Sequence, residues 1–287
     1  MYISTEIDSF KKFGNIYEVV KLLKDVGFTA YDFSMFNKAW MQLQTNEFLA
    51  AEDYIEQAKS FRAYADGLGI VCNQTHAPFP TVAKGNEAYN EYIFPYLVRA
   101  IEVSGILGAK VVVIHPCNNY TAEENAVFYK KLEPYARKAG VKIGVENMWN
   151  WNREEGHACA AACSHHDDFK KHLDLLPADV FMACLDIGHA EMFGEETNAV
   201  KMIETLGDRL QSMHLHDVDK VHDNHSIPFT QKVDYAPIIE ALKKIGYQGD
   251  ITLESATFAS VAPKELLPAV ARYSVAVADY FKKELEK

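Results

Sequence analysis

Long apolar runs are missing from this 287-residue chain. Its longest aliphatic stretches, such as residues 111–114, fall far short of the roughly 18 residues that a membrane helix needs. The opening stretch, residues 1–12, is polar and has no apolar signal core, so the expectation is a cytoplasmic protein without a membrane partner. Cysteine is scarce as well. The five cysteines, at 72, 117, 159, 163 and 184, are odd in number and too thinly spread for a disulfide framework. Positive charge is in deficit: 29 Lys and Arg face 40 Asp and Glu, for a net charge of −11. A protein that coats nucleic acid or lies on a membrane surface is usually basic, so those partners are disfavoured. No Gly-rich phosphate loop, strand-coupled Gly-x-Gly-x-x-Gly or Gly-x-Ser-x-Gly elbow occurs. Neither a nucleotide or other organic cofactor nor a serine nucleophile is therefore expected.

What is present is ordinary globular material, 48% apolar, punctuated at regular intervals. Short runs rich in Val, Ile, Tyr and Phe occur at 2–7, 30–34, 70–75, 110–115, 142–146, 181–186, 212–216 and 250–254. They suit parallel strands covered on both faces. Between them lie amphipathic stretches of helical length, at 54–68, 89–107, 122–139, 199–206 and 237–245. A glycine (27, 69, 108, 140 and 246) follows most helices just before the next strand, where it supplies the left-handed conformation that ends a helix. The strand–helix–glycine unit fits eight times, and no linker rich in Pro, Gly or Ser interrupts it. The fold class predicted is α/β: a single (β/α)8 TIM barrel over residues 1–287, with its active site at the C-terminal ends of the strands.

The strand ends carry the chemistry. The third strand runs into Thr75-His76-Ala77-Pro78, the fourth into Ile114-His115-Pro116, and the fifth ends in Gly144-Val145-Glu146-Asn147. The sixth ends in Cys184-Leu185-Asp186-Ile187-Gly188-His189, the seventh in Met213-His214-Leu215-His216-Asp217 and the eighth in Thr252-Leu253-Glu254-Ser255. Any one of these alone reads as a structural residue or a helix cap. Six in phase point to one site, because a barrel gathers its strand ends on one face. Imidazoles and carboxylates without matching thiolates suit Zn, Mn, Co or Fe rather than Ca, and such a crowd repels itself without a cation. His157, Cys159, Cys163, His165 and His166 also cluster, but their spacing is not that of a zinc finger, and Ala160-Ala161-Ala162 reads as a turn of helix.

These motifs resemble those of the xylose isomerase-like barrel superfamily, which holds sugar isomerases, sugar 3-epimerases and abasic-site nucleases of the endonuclease IV type. The resemblance runs over the whole length. In the epimerase branch one divalent metal is held by Glu, Asp, His and Glu, which the resemblance places at Glu146, Asp186, His214 and Glu254. It makes Glu146 and Glu254 the acid–base pair and gives His189 a catalytic contact with substrate. In the nuclease branch nine ligands hold three zinc ions, and the resemblance then adds His76, His115, His189, Asp223 and His225 as ligands. With one metal, His76 and His115 are instead pocket residues. The chain departs from the family in two loops. Asn224 stands between Asp223 and His225 where the nuclease pattern has arginine, and residues 226–232 lack the family's glycine turn. After Glu146, residues 147–153 replace a glycine-rich turn, and there Trp149 and Trp151 suit stacking on a sugar ring while Asn147 suits reading a hydroxyl.

The function implied is a divalent-metal-dependent sugar or sugar-phosphate isomerase or epimerase, working by proton transfer through a metal-stabilised enediolate. One ion of Mn, Co, Mg or Zn is expected. The alternatives are an endonuclease IV-like zinc phosphodiesterase with up to three zinc ions, acting at abasic sites in DNA, and a non-catalytic sugar-binding barrel. A duplex needs cationic loops, and near the ligands the chain offers mainly Lys84, Arg153, Lys220 and Lys232. The expected partner is a small sugar, with nucleic acid disfavoured and homo-oligomerisation left open.

Overall fold

The computed structural model describes residues 1–36, 47–194 and 196–287. Strands β1 (Ile3–Thr5), β2 (Ala30–Ser34), β3 (Val71–His76), β4 (Val111–Val113) and β5 (Lys142–Glu146) come first along the chain. The short antiparallel hairpin of β6 (Asn150–Asn152) and β7 (His157–Cys159) follows. Then come β8 (Phe181–Asp186), β9 (Leu210–His214) and β10 (Ile251–Leu253). All but the hairpin run parallel, in the order β2-β3-β4-β5-β8-β9, with β1 paired to β10. Parallel bridges at Glu6–Asp32 and Leu215–Leu253 join the two sheets into a ring of eight. The expected barrel is thus observed.

Helices cover the outside of the ring, among them Ile16–Val26, Tyr54–Leu68, Glu87–Leu107, Ala122–Ala139, Tyr235–Lys244 and Leu267–Leu285. Asn15 and Thr121 open two of them through capping boxes closed by Glu18 and Glu124. The glycines at 27, 69, 108, 140 and 246 all have φ between 67° and 117°, the region that ends a helix without strain only for glycine. Two helices begin two residues earlier than the apolar spacing suggests, because Asn86 and Asp234 cap them there. Ala160–Ala162 forms no helix. The hairpin ends at Cys159, and the next helix starts only at His166, with the His165 side chain accepting the Asp167 backbone N–H.

The main core lies between the ring and the helices, and full burial of each Phe or Leu there contributes roughly 1.5–3 kcal/mol. Inside the ring only a small apolar cluster remains, Val111, Val113, Met182 and Cys184. Much of the rest of the interior is polar. Gln74 Nε2 donates to Asp32 Oδ2 at 2.9 Å and lies 2.8 Å from His214 Nε2, while the Ser212 hydroxyl donates to Gln74 Oε1. These contacts cross the barrel directly beneath the strand ends.

Candidate active site

Strands β3, β5, β8 and β9 end at His76, Glu146, Asp186 and His214, while His115 and Glu254 lie just past β4 and β10. Their ends gather three donor groups at one mouth. In the first, His76 Nε2 lies 2.9 Å from His115 Nε2, and Glu146 Oε2 is 3.5 and 3.1 Å from the two. In the second, His214 Nδ1 sits 3.1 Å from Glu146 Oε1 and 3.2 Å from Glu254 Oε2, and Asp186 completes a set whose ligand atoms lie within 4.8 Å of one another. The third groups Asp223 with His189 at 3.4 Å, His225 at 3.1 Å and His216 at 3.8 Å. Glu146 serves the first two groups, one oxygen to each.

The donor chemistry fits a divalent cation. His76, His189 and His225 each donate Nδ1–H to a backbone carbonyl, of Ala77, Asn147 and Glu254, at 2.8, 2.8 and 3.0 Å. Each therefore points Nε2 at the mouth, where a metal can replace any proton it carries, as at metal-ligating histidines. Glu146 Oε2 and Asp223 Oδ1 are buried with no hydrogen-bond partner. Without a cation, protons supply the counter-charge. Burial alone would raise the Glu146 carboxyl, yet His214 and His115 hold it well below the usual carboxylate range. Burial likewise opposes charge on His189, but Asp186 and Asp223 push it up to about 10. His225 is held well above its ordinary value, against burial, by Asp223. A bound cation takes the place of these protons and releases them.

Above the groups opens a cavity of about 510 Å³, with Phe36, Phe79, Met148, Trp149 and Trp151 among its walls. Among the described residues lining it there is neither Lys nor Arg. Two larger clefts, of about 800 and 740 Å³, lie elsewhere and are lined by none of these donor residues. His76, His115, His189, Trp149 and Trp151 all line the 510 Å³ cavity. Asn147 does not, which corrects the expectation that it reads substrate. Its side chain is fully buried, donating to the Asp186 carbonyl at 2.9 Å and accepting the Asp186 N–H at 2.8 Å, so both the nitrogen and the oxygen of the amide are engaged within the fold. In the cysteine- and histidine-rich stretch, His165, His166 and Asp167 come together, but neither Cys159 nor Cys163 joins a donor group.

Three residues of the site went unassigned in the sequence. Glu6 lines the cavity from the end of β1, and His216 belongs to the third donor group. Asp217 organises the loop that carries Asp223 and His225. Its carboxylate is wholly buried and accepts the backbone N–H of Val218, Thr230, Gln231 and Val233 at 2.9 to 3.1 Å. This explains how the loop closes without its usual glycines: Lys220, His225 and Phe229 adopt positive φ of 73°, 43° and 72°, a cost met by the carboxylate's four bonds.

Residues 20–275 match the family model described as xylose isomerase-like TIM barrel. The chain is 29% identical over 205 residues to an uncharacterized protein of Methanocaldococcus jannaschii, an alignment covering 67% of each chain. It is 24% identical over 211 residues to an L-ribulose 3-epimerase of Methylomonas sp., covering 72% of this chain and 69% of the relative. Among solved structures, that of a D-tagatose 3-epimerase-like protein superposes with a TM-score of 0.74 at 20% identity, covering 100% of this chain and 97% of the other.

Proposed function

The chain belongs to the xylose isomerase-like TIM barrel family, and on that footing we propose that it is an enzyme of the isomerase/epimerase class: a divalent-metal-dependent epimerase or isomerase of sugars. The observation that carries this reading is the pair of carboxylates, Glu146 and Glu254, on either side of His214 Nδ1 at the floor of the cavity. One relative with an assigned activity, an L-ribulose 3-epimerase, points the same way. Glu146, Asp186, His214 and Glu254 would hold the metal. When bound, it supplies positive charge to the substrate's carbonyl and neighbouring hydroxyl oxygens. One of Glu146 and Glu254 takes the proton from the carbon beside the carbonyl, and the other returns a proton to the opposite face, or to the neighbouring carbon. His189 Nε2 faces the cavity to hold a substrate oxygen. Phe36, Phe79 and Trp149 keep water from the enediolate, and the exposed Trp151 offers a stacking face. The lack of Lys and Arg among the described wall residues suits a neutral sugar better than a phosphorylated one.

Solvent deuterium incorporation tests this directly. A panel of ketohexoses and ketopentoses, incubated with enzyme and Mn²⁺ or Co²⁺ in D₂O, should yield epimer or aldose labelled at the carbon next to the carbonyl. Glu146→Gln and Glu254→Gln should each lower kcat about 10²–10⁴-fold. Turnover without label, or full activity in either variant, would overturn the proton-transfer reading.

A second reading has one observation in its favour: the two further donor groups, His76–His115–Glu146 and His189–Asp223–His225, flank the central one. Such a set suits a multinuclear zinc phosphodiesterase. The cations near the mouth weaken it, since Lys84 pairs with Glu124 and Lys220 with Glu191. Metal content per chain separates the two. About three zinc ions in protein purified without chelator, with cleavage of abasic DNA, would favour the hydrolase.

A further inference from the structure

His216 is wholly buried, and its Nε2–H points at a carboxylate. The nitrogen lies 2.9 and 3.0 Å from the two oxygens of Asp186. Asp186 Oδ1 also accepts the His189 N–H at 2.7 Å, and the Asn147 amide brackets the Asp186 peptide. The clamp is itself held. The His216 ring stacks on His225 with centroids 4.1 Å apart and planes 9° from parallel, and Tyr235 Oη donates to the His216 carbonyl at 2.9 Å. Gly188 lies against the ring edge, where any Cβ would overlap Cε1, so this position in Asp186-Ile187-Gly188-His189 has room only for hydrogen. Nδ1 is buried with no partner. The neutral tautomer with its single proton on Nε2 leaves no buried N–H unsatisfied and directs that proton to Asp186.

From this geometry we infer that His216 is a positioning residue of the metal site: it fixes the Asp186 carboxylate before metal arrives and keeps it a one-oxygen ligand. The inference rests on Asp186 holding the metal as proposed above. A carboxylate free to turn must be ordered on binding, whereas one locked by His216 and the His189 N–H has already been ordered by folding. Because Nε2–H is shared between both oxygens, a metal chelated by the two together would have to displace it. The stack on His225 also ties the central donor group to the flanking one.

Cobalt binding to the metal-free full-length protein tests the role without reference to turnover. His216→Phe keeps a flat ring and removes the donor, whereas His216→Gln places an amide N–H near the position of Nε2. The first equivalent of Co²⁺, followed by equilibrium dialysis and by its visible absorption, should bind about 10–100-fold more weakly in His216→Phe, with an altered spectrum. His216→Gln should recover much of that loss, and Gly188→Ala, which displaces the ring, should behave like His216→Phe. Circular dichroism shows which variants are folded. Should His216→Phe fail to fold, His216→Gln and Gly188→Ala decide the matter. Wild-type affinity and spectrum in His216→Phe would overturn the inference. So would loss of one whole equivalent with the first unchanged, since His216 would then be a ligand. A wild-type protein that binds no Co²⁺, or whose first equivalent survives Glu254→Gln, would instead defeat the metal reading on which the clamp depends.

Discussion

Glu6 faces the cavity yet belongs to none of the three donor groups. Ser9 Oγ donates to its Oε1 at 2.7 Å, and burial, followed by the neighbouring charge of Glu254, pushes its carboxyl up to about 8. The folded value lies above the unfolded one, so the native state binds the extra proton and stability falls as pH rises through the window from 4.5 to about 8. Glu6→Gln removes that fall. In metal-free protein, the variant should gain on wild type by roughly 4 kcal/mol between pH 4.5 and pH 8.5, read from urea midpoints. A gap that stays constant with pH would show that Glu6 does not titrate in this window. Glu6, His216 and Asn147 also mark where single residues stopped being legible. The sequence shows residue type and strand end, so six histidines and carboxylates could be found by phase, while His189, Asp223 and His225 came from the family resemblance. It does not show whether an amide is already engaged within the fold, as at Asn147, or whether a histidine two residues past a strand-end histidine faces the same mouth, as at His216.

At the level of elements, legibility follows the strength of the local signal. Helix ends and strand positions were readable because the C′ glycines and the continuous apolar runs act within a few residues. The hairpin of β6 and β7 was not, since its pairs, such as Trp151 with Ala158, lack apolar alternation and are held across a turn by Asn150 and Asn152. The loop after β9 is the clearest case. Its missing glycines suggested a changed geometry, but the device that shapes it, Asp217, is a lone buried acid. Removing that carboxylate strands up to four backbone N–H groups. Asp217→Ala should therefore cost about 3 kcal/mol or more, and should speed amide exchange at Thr230, Gln231 and Val233. A urea midpoint unchanged within error would refute the organising role.

The whole molecule is closed by its own ends: Glu6, next to β1, bridges to Asp32, and Leu215 bridges to Leu253 beside Glu254. The site thus draws on residues from both ends of the chain, and the ring should unfold in one transition. Four carboxylates, Glu146, Asp186, Asp223 and Glu254, share this mouth in a chain of net charge −11. In the metal-free protein the imidazole of His214, the histidine of the proposed metal set, is held well above its ordinary value, and it offsets them together with those of His189 and His225. A metal binds only the deprotonated rings, so it stabilises the fold by mass action and competes with protons for the site. At 100-fold excess over its dissociation constant, an ion adds about 2.7 kcal/mol. For a chain of this size that raises Tm by roughly 5–10 °C over protein treated with chelator. The sign of the pH dependence follows from the imidazoles, whose raised values mean that more protons must leave as the solution becomes more acidic. The gap in Tm between loaded and chelated protein should accordingly narrow from pH 7.5 to pH 5.5, and differential scanning fluorimetry in the two buffers measures it. Equal Tm with and without chelator at pH 7.5, or a gap that widens toward acid, would mean that the mouth of this barrel is balanced by protons alone.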